Sequence, residues 1–199
     1  MAFAKKVVFA TNNQHKLEEI NRVIPKSIHI LTLNDIAFTS EIPETGSTLE
    51  ENALQKTWYI YQYCGKSCFS DDTGLEIAAL NNNPGVYSAR YAGAECDSEK
   101  NMNKVLMEMR GVHERMARFR TVIALIMEGK EHLFEGTVKG IIKEKPAGTG
   151  GFGYDPIFQP VGYEKTFAEM TLKEKNLISH RAMAIRQLID FFNVKMQLH

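Results

Sequence analysis

Phe119-Arg120-Thr121-Val122-Ile123-Ala124-Leu125-Ile126-Met127, with the Glu128-Gly129-Lys130 that follows, is the stretch whose reading decides the fold. From Val122 it is almost continuously apolar, the pattern of a strand buried on both faces. Glu128-Gly129-Lys130 reads as a turn, and residues 132–137 and 138–143 then read as two further strands. Consecutive strands without a helix between them do not make a purely parallel sheet. The sheet is mixed.

Toward the N-terminus, residues 6–10 (KVVFA) read as a buried strand and Thr11-Asn12-Asn13 as the turn after it. A helix is expected over residues 14–24, with Leu17, Ile20, Val23 and Ile24 on one face and Pro25 as its stop. A strand–turn–helix opening suits phosphate, because free backbone N–H groups and the positive end of the dipole converge there. Lys16 sits against that dipole in the first turn, which suggests an anion nearby; a solvated surface lysine reads equally well. Residues 28–33 form a second strand, and residues 41–46 a loop. Thr48-Leu49-Glu50-Glu51 fits a capping box opening a helix that runs to Cys64. Ala53, Leu54, Thr57, Tyr61 and Cys64 give that helix its inward stripe, with Trp58 and its tyrosines as packing residues.

Phe69-Ser70-Asp71-Asp72-Thr73-Gly74-Leu75-Glu76 places two carboxylates before a Thr-Gly pair. The expected geometry is a strand that ends in a bend, with one Asp aimed into a cleft and the other tied to the turn. Neighbouring side chains in a strand point to opposite faces, so the two need not share a site. Such a carboxylate serves as a general base or holds a hard cation, while a turn using Asp and Gly for backbone tolerance reads as well locally. Residues 81–85 (NNNPG) make a turn. Tyr87-Ser88-Ala89-Arg90-Tyr91 is a loop in which Arg90 is either a phosphate ligand or a surface arginine, and Ser98 is read as the cap of a helix carrying Met102, Val105, Leu106 and Met109.

In Gly148-Thr149-Gly150-Gly151-Phe152-Gly153-Tyr154-Asp155-Pro156 the glycines let a backbone approach a ligand. Phe152 and Tyr154 offer faces for a planar base, where stacking is worth about 1–3 kcal/mol, and Asp155 offers an acceptor. Thr171-Leu172-Lys173-Glu174 is another capping box; Ile178, Ala182, Ile185, Ile189 and Phe192 form the stripe of the terminal helix. Lys175, Ser179, His180 and Arg181 lie near its start as a concentrated donor set, with Ser179 able to cap a second helix after a break.

The 199 residues suit one domain over 1–199, and the formal net charge of zero argues against a nucleic-acid backbone partner. Cys64, Cys68 and Cys96 match no disulfide or zinc spacing and read as buried free thiols of a reducing compartment. The apolar run in residues 1–10 is too short for a signal peptide, and no run approaches the roughly 18 apolar residues of a membrane span. A cytoplasmic, membrane-free protein is expected.

Taken together, Val8-Phe9-Ala10-Thr11-Asn12-Asn13 with Lys16, Glu44-Thr45-Gly46, Glu51-Asn52-Ala53, Ser70 to Leu75, Pro84 to Tyr91, Gly148 to Phe158 and Ser179-His180-Arg181 carry a resemblance. In number and order these segments resemble the inosine triphosphate pyrophosphatase (Ham1-like) family over nearly the whole chain. The resemblance implies an α/β fold, a mixed central β-sheet flanked by helices, in two lobes with the active-site cleft between them. It implies a homodimeric, Mg2+-dependent enzyme that converts ITP, dITP and XTP to the monophosphate and pyrophosphate. By matching positions, Thr11, Asn12, Asn13 and Lys16 hold the triphosphate, Asp72 is the catalytic carboxylate and Glu44 joins it as a metal ligand. Thr73 and Arg90 contact substrate; Phe152, Gly153, Tyr154 and Asp155 line the base pocket; Lys175, Ser179, His180 and Arg181 complete purine recognition. The family's turn has glycine where Asn12 stands, a residue tolerant of the left-handed conformation, and a small residue is common at the position of His15.

The chemistry fits these residues independently. Cleavage between the α and β phosphates needs charge neutralisation and a positioned water. Asp72 can orient or deprotonate that water while Lys16, with Lys175 as a second cation, offsets charge on the departing pyrophosphate. A donor such as Arg181 or His180 on the 6-oxo group separates hypoxanthine and xanthine from adenine, by a factor of about 10⁴ or more for a site built around the bond. Two alternatives stand beside this reading. One is a nucleotide-binding regulatory module without catalysis. The other is a dimeric aspartic protease, since Asp72-Thr73-Gly74 is its tripeptide, although that chemistry needs two carboxylates sharing a proton.

Overall fold

The structure, a computed structural model, describes residues 5–197; residues 1–4 of the opening 1–10 stretch lie outside them. Seven strands form one sheet. They are β1 (Lys5–Phe9), β2 (Ile28–Leu31), β3 (Cys68–Ile77), β4 (Pro84–Gly85), β5 (Met116–Met127), β6 (Lys130–Ile142) and β7 (Phe158–Pro160). The order is β2-β1-β3-β5-β6-β7, with β4 beside β3. β1 runs parallel to β2 and β3, whereas β3–β4 and β6–β7 are antiparallel, so the sheet is mixed as expected. The helices are α1 (Gln14–Asn21), α2 (Leu49–Cys64), α3 (Ser98–Glu108), α4 (Leu172–Ile178) and α5 (His180–Gln197).

The chain forms two compact units. The first comprises the residues up to 72, 121–136 and those from 182 onward; the second comprises 73–120 and 137–181. In the first unit, strand alternation feeds two cores. Val7, Phe9, Phe69, Ile123 and Leu125 meet Leu17 and Ile20 of α1 and Ala184, Ile185, Leu188 and Phe192 of α5. Val8, Ala10, Cys68 and Ile126 meet Ile60 of α2, with Leu33 and Phe38. Phe9 opposes Phe69 in the β1–β3 register and stacks on it at 4.6 Å. The second unit has its own core, in which Leu75, Ile77, Phe119, Val138, Ile142 and Phe158 pack with Val105 and Met109 of α3.

Several local expectations change. The two expected strands are one, β6 (Lys130–Ile142), with no break between 137 and 138. The turn before it is tight, with Glu128 and Gly129 both at positive φ. α1 ends at Asn21, short of Pro25. Asp97, not Ser98, caps α3, accepting from the N–H groups of Glu99 and Lys100. Thr48 caps α2, but the Glu51 carboxylate turns to Ser47, so the reciprocal half of that capping box is missing. The box at Thr171 and Glu174 is complete, and Ser179 marks the break between α4 and α5. The buried face of α2 is Leu49, Asn52, Ala53, Lys56, Thr57 and Ile60; it shares Ala53 and Thr57 with the expected stripe, while Leu54, Tyr61 and Cys64 pack half-buried against the same core. Of the three free cysteines, Cys68 is buried, Cys64 half-buried and Cys96 exposed.

Candidate active site

The largest correction falls on Asp71-Asp72-Thr73-Gly74. No bend interrupts it; the ladder of β3 runs straight through from Cys68 to Ile77. Gly74 is there for proximity. A Cβ at that position would lie 2.6 Å from the carbonyl oxygen of Gly85 on β4. The alternation of the strand then sends the two carboxylates apart, and each meets a different lysine.

Asp71 lies with its Oδ1 3.0 Å from Lys16 Nζ, which also donates to the Asp71 carbonyl. Lys16 belongs to the first turn of α1, where no acidic residue offsets it locally. Its counter-charge comes instead from β3. The turn before it is held by side chains: Thr11 Oγ1 accepts from Asn13 N–H, and Asn13 Oδ1 caps α1 by accepting from Lys16 N–H. Asn12, exposed in the same turn, is not among the left-handed residues. The conformational tolerance expected of it is not used.

Asp72 faces α2. Lys56 Nζ donates to Glu44 Oε1 at 2.7 Å and to Asp72 Oδ1 at 3.4 Å, while Asn52 Nδ2 donates to Asp72 Oδ2 at 3.3 Å. Asn52 is oriented in turn by accepting from Gly46 N–H, and the Gln55 amide clasps Thr45, its Oε1 accepting from Thr45 N–H and its Nε2 donating to Thr45 Oγ1. The first turns of α2 thereby hold the Glu44-Thr45-Gly46 loop against Asp72. Burial pushes the Asp72 carboxyl above the usual carboxylate range, and Glu44 and Asp71 add to this, while Lys56 and Lys16 pull it back. Lys56 is desolvated too, which favours its neutral form, but Asp72, Glu44 and Asp71 outweigh that and hold it protonated. The two directions agree, since three carboxylates share two ammonium groups.

Beneath this charged group sits a pair of buried hydroxyls. Thr57 Oγ1 lies 2.9 Å from Ser70 Oγ, and within hydrogen-bond distance of the carbonyls of Ala53 and Ala124. Ser70 Oγ donates to Ala53 O. Helix and strand are pinned together one residue from Lys56 and two from Asp72.

Asn52, Gln55 and Lys56 were not among the residues assigned from sequence. Their signal was present in Glu51-Asn52-Ala53 and in the i, i+3, i+4 spacing of 52, 55 and 56, which puts all three on one helix face. A lysine there reads as solvated until its strand neighbour is known.

In the second unit Asp155, Lys175 and Arg181 gather around Phe152. Asp155 Oδ2 accepts from Phe152 N–H at 2.9 Å and from Lys175 Nζ at 2.7 Å. Asp155 and Lys175 are both buried. Gly151 makes this approach possible; at its positive φ a Cβ would lie 2.0 Å from Asp155 Oδ2. Lys175 Nζ stands 5.0 Å and Arg181 Cζ 5.6 Å from the centroid of the half-buried Phe152 ring. Lys175 thus lies against the aromatic set, near the rings of both Phe152 and Phe167. Arg181 donates to Thr73 Oγ1 at 3.1 Å, and His180 stacks on Phe119 at 4.6 Å. Ser179, at the helix break, sends its N–H back to Lys175 O.

Tyr154 differs from expectation. It is buried in the core of its unit, with its hydroxyl donating to Ser88 O, and burial pushes its phenol upward. It supports the loop, and Phe152 keeps the partly open face. Arg90, half-buried in a 3-10 turn, lies 5.6 Å from the ring centroid of Tyr87.

The aspartic-protease alternative finds no support in the contacts of this chain. Asp72 is bonded to a lysine and an amide, not to a second carboxylate sharing its proton.

Comparisons with known proteins show the family. The Ham1 family profile matches residues 7–191. The dITP/XTP pyrophosphatase of Flavobacterium johnsoniae is 52% identical over 185 residues, covering 93% of this chain and 96% of that protein. The protein of the same name from Bacillus subtilis is 45% identical over 192 residues, covering 94% and 97%. Among solved structures, the Staphylococcus aureus Ham1 protein superposes with a TM-score of 0.87 at 38% identity, covering 96% of this chain and all of that one. A HAM1 protein from Coxiella burnetii gives 0.88 at 36% identity.

Proposed function

Because the chain belongs to the Ham1 family, we propose that it hydrolyses the triphosphates of non-standard purines, ITP, dITP and XTP, to the nucleoside monophosphate and pyrophosphate. The observation that carries the reading is the convergence of Glu44 and Asp72 on one cationic point, filled by Lys56 Nζ.

That convergence also supports magnesium as cofactor. Two carboxylates plus substrate oxygens are the usual protein share of a magnesium shell, so the pair fits although the described residues hold no cluster of three or more acidic, His or Cys ligands. Bound by Glu44 and Asp72, the ion would screen the phosphates and lower the pKa of a coordinated water. The chain supplies the rest. Asp72, with its pKa raised by burial, is a better proton acceptor than an ordinary aspartate; it takes a proton from the water that attacks the α phosphorus. The bond to the β-phosphate oxygen breaks, and Lys16 and Lys56 offset the charge gathering on pyrophosphate. Thr11, Asn12 and Asn13 bind phosphate oxygens in the turn before α1.

Phe152 stacks on the purine. Arg181, positioned by Thr73, and His180, held by Phe119, donate to the 6-oxo group, which adenine lacks. Arg90 binds an anionic oxygen of the same nucleotide. Three cysteines without a disulfide support a reducing, cytoplasmic setting, and no helix among the described residues is long and apolar enough to cross a membrane. A homodimer completes the reading. An assay of pyrophosphate from ITP, dITP, XTP, ATP and GTP, with and without magnesium, tests it. Release from the first three only, and only with magnesium, is expected; orthophosphate as product, or equal turnover of ATP, would refute it.

A further inference from the structure

Two short motifs of the sequence, Glu44-Thr45-Gly46 and Glu51-Asn52-Ala53, meet at one buried amide. Asn52 is 0% exposed, on the face of α2 that also buries Leu49, Ala53 and Ile60. An apolar side chain of its size would suit that face, whereas a buried amide there must find partners for both of its ends. Asn52 has one on each side. Its Oδ1 accepts from Gly46 N–H at 2.7 Å, and its Nδ2 donates to Asp72 Oδ2 at 3.3 Å. The first bond dictates the second. A backbone N–H can only donate, so the amide oxygen must turn to Gly46 and the NH2 group must then turn to Asp72. Gly46 is a matter of space: a Cβ there would lie 2.6 Å from Glu51 Cβ and 2.9 Å from Asn52 Oδ1. With any side chain at 46, the loop would have to move off the amide.

The consequence falls on the Asp72 carboxylate. The last torsion of an aspartate is broad and roughly two-fold, so the side chain alone does not hold its plane. Here each oxygen has its own donor from α2, Lys56 Nζ at Oδ1 and Asn52 Nδ2 at Oδ2, and rotating the carboxylate breaks both bonds. The two donors differ. Lys56 Nζ also bonds Glu44 Oε1, at the shorter distance of 2.7 Å. The Asn52 amide is uncharged and, with its oxygen on Gly46, keeps its NH2 group on Asp72. We propose that Asn52 is a positioning residue for the reaction: set by Gly46 N–H, its amide holds the plane of the Asp72 carboxylate toward the attacking water. The inference rests on the pyrophosphatase reading and on Asp72 as its base.

Steady-state hydrolysis of ITP and hydrogen exchange at the Gly46 amide test it together. Asn52→Leu keeps the volume and removes both bonds; Asn52→Asp keeps an acceptor for Gly46 N–H and loses the donor to Asp72. Both should lower kcat by about ten- to hundredfold, the scale of losing a partner that orients a ligating side chain, with KM for ITP within about threefold. Exchange at Gly46 should quicken in Asn52→Leu and stay slow in Asn52→Asp, so that loss of turnover in both belongs to the donor and not to the loop. Gly46→Ala, which leaves every polar side chain in place, should lower kcat as well. In the Asp72→Asn background, Asn52→Leu should add less than about threefold. Should Asn52→Leu not fold, Asn52→Asp carries the same comparisons. An unchanged kcat in a folded Asn52 variant or in Gly46→Ala, or a full further loss on top of Asp72→Asn, overturns the proposal. If the unaltered protein releases no pyrophosphate from ITP, the pyrophosphatase reading falls, and this inference with it; if it does, a failed Asn52 result leaves the reaction itself standing.

Discussion

Arg181 donates a hydrogen bond to Thr73 Oγ1 at 3.1 Å, and Thr73 follows Asp72 directly in the chain. The residue assigned to purine recognition therefore leans on the neighbour of the residue assigned to chemistry. Thr73→Val keeps the strand and its bulk but takes the acceptor from a buried guanidinium. It should cost about 1–3 kcal/mol of stability and weaken discrimination between ITP and ATP. Denaturant midpoints and kcat/KM for the two nucleotides measure both effects. Discrimination at the unaltered level would separate Arg181 from the choice of base.

Asp72→Asn retains the size of the side chain and one acceptor oxygen, for Lys56 or Asn52 but not both, while removing its basicity. Turnover of ITP should fall by about a hundredfold to ten-thousandfold, with an unchanged circular dichroism spectrum. Turnover within a few-fold of the unaltered protein would place the base elsewhere.

The pH dependence has a definite sign. The Asp72 pKa is raised, first by burial, so activity that needs the carboxylate disappears on acidification at a pH above that of an ordinary aspartate. The same shift means that Asp72 favours the fold in its protonated form, a contribution lost as pH rises through its folded pKa. Lys56→Met removes the largest attractive charge beside it, so the acid limb of the kcat profile should move to still higher pH. A limb that stays put, or moves down, would contradict the arrangement of Glu44, Lys56 and Asp72.

Gly74→Ala tests the strand reading. The added Cβ meets the Gly85 carbonyl at 2.6 Å, so β4 must shift, at about 1–3 kcal/mol. A lower melting temperature is expected. If Gly74 instead served a local bend, the neighbouring turn would absorb the methyl and melting would hardly change.

Much of this was legible in the chain. The mixed sheet followed from residues 119–143 without a helix, and the opposite facing of Asp71 and Asp72 from the period of two. What could not be read locally was contact across distance. Thr-Gly after two aspartates looks like a bend, because the reason for Gly74 is a carbonyl eleven positions on, supplied by Gly85. Lys56 was not assigned to the site, because its two carboxylates come from a loop before its helix and a strand after it. Tyr154 looked like a pocket wall because its glycine neighbours announce a loop, whereas its hydroxyl partner lies 66 positions away. Pattern gives elements; the partners of a side chain are a property of the fold.

The hydroxyls of Thr57 and Ser70 carry a last consequence. They meet at 2.9 Å one and two residues from Lys56 and Asp72, so they act as a ruler that calibrates a charged pair they never touch. Swapping either for an apolar residue of similar volume would leave every polar residue of the site in place and still let the helix creep along the strand. Heat-sensitive variants of this protein should therefore be sought in its interior, at two small alcohols that no nucleotide reaches.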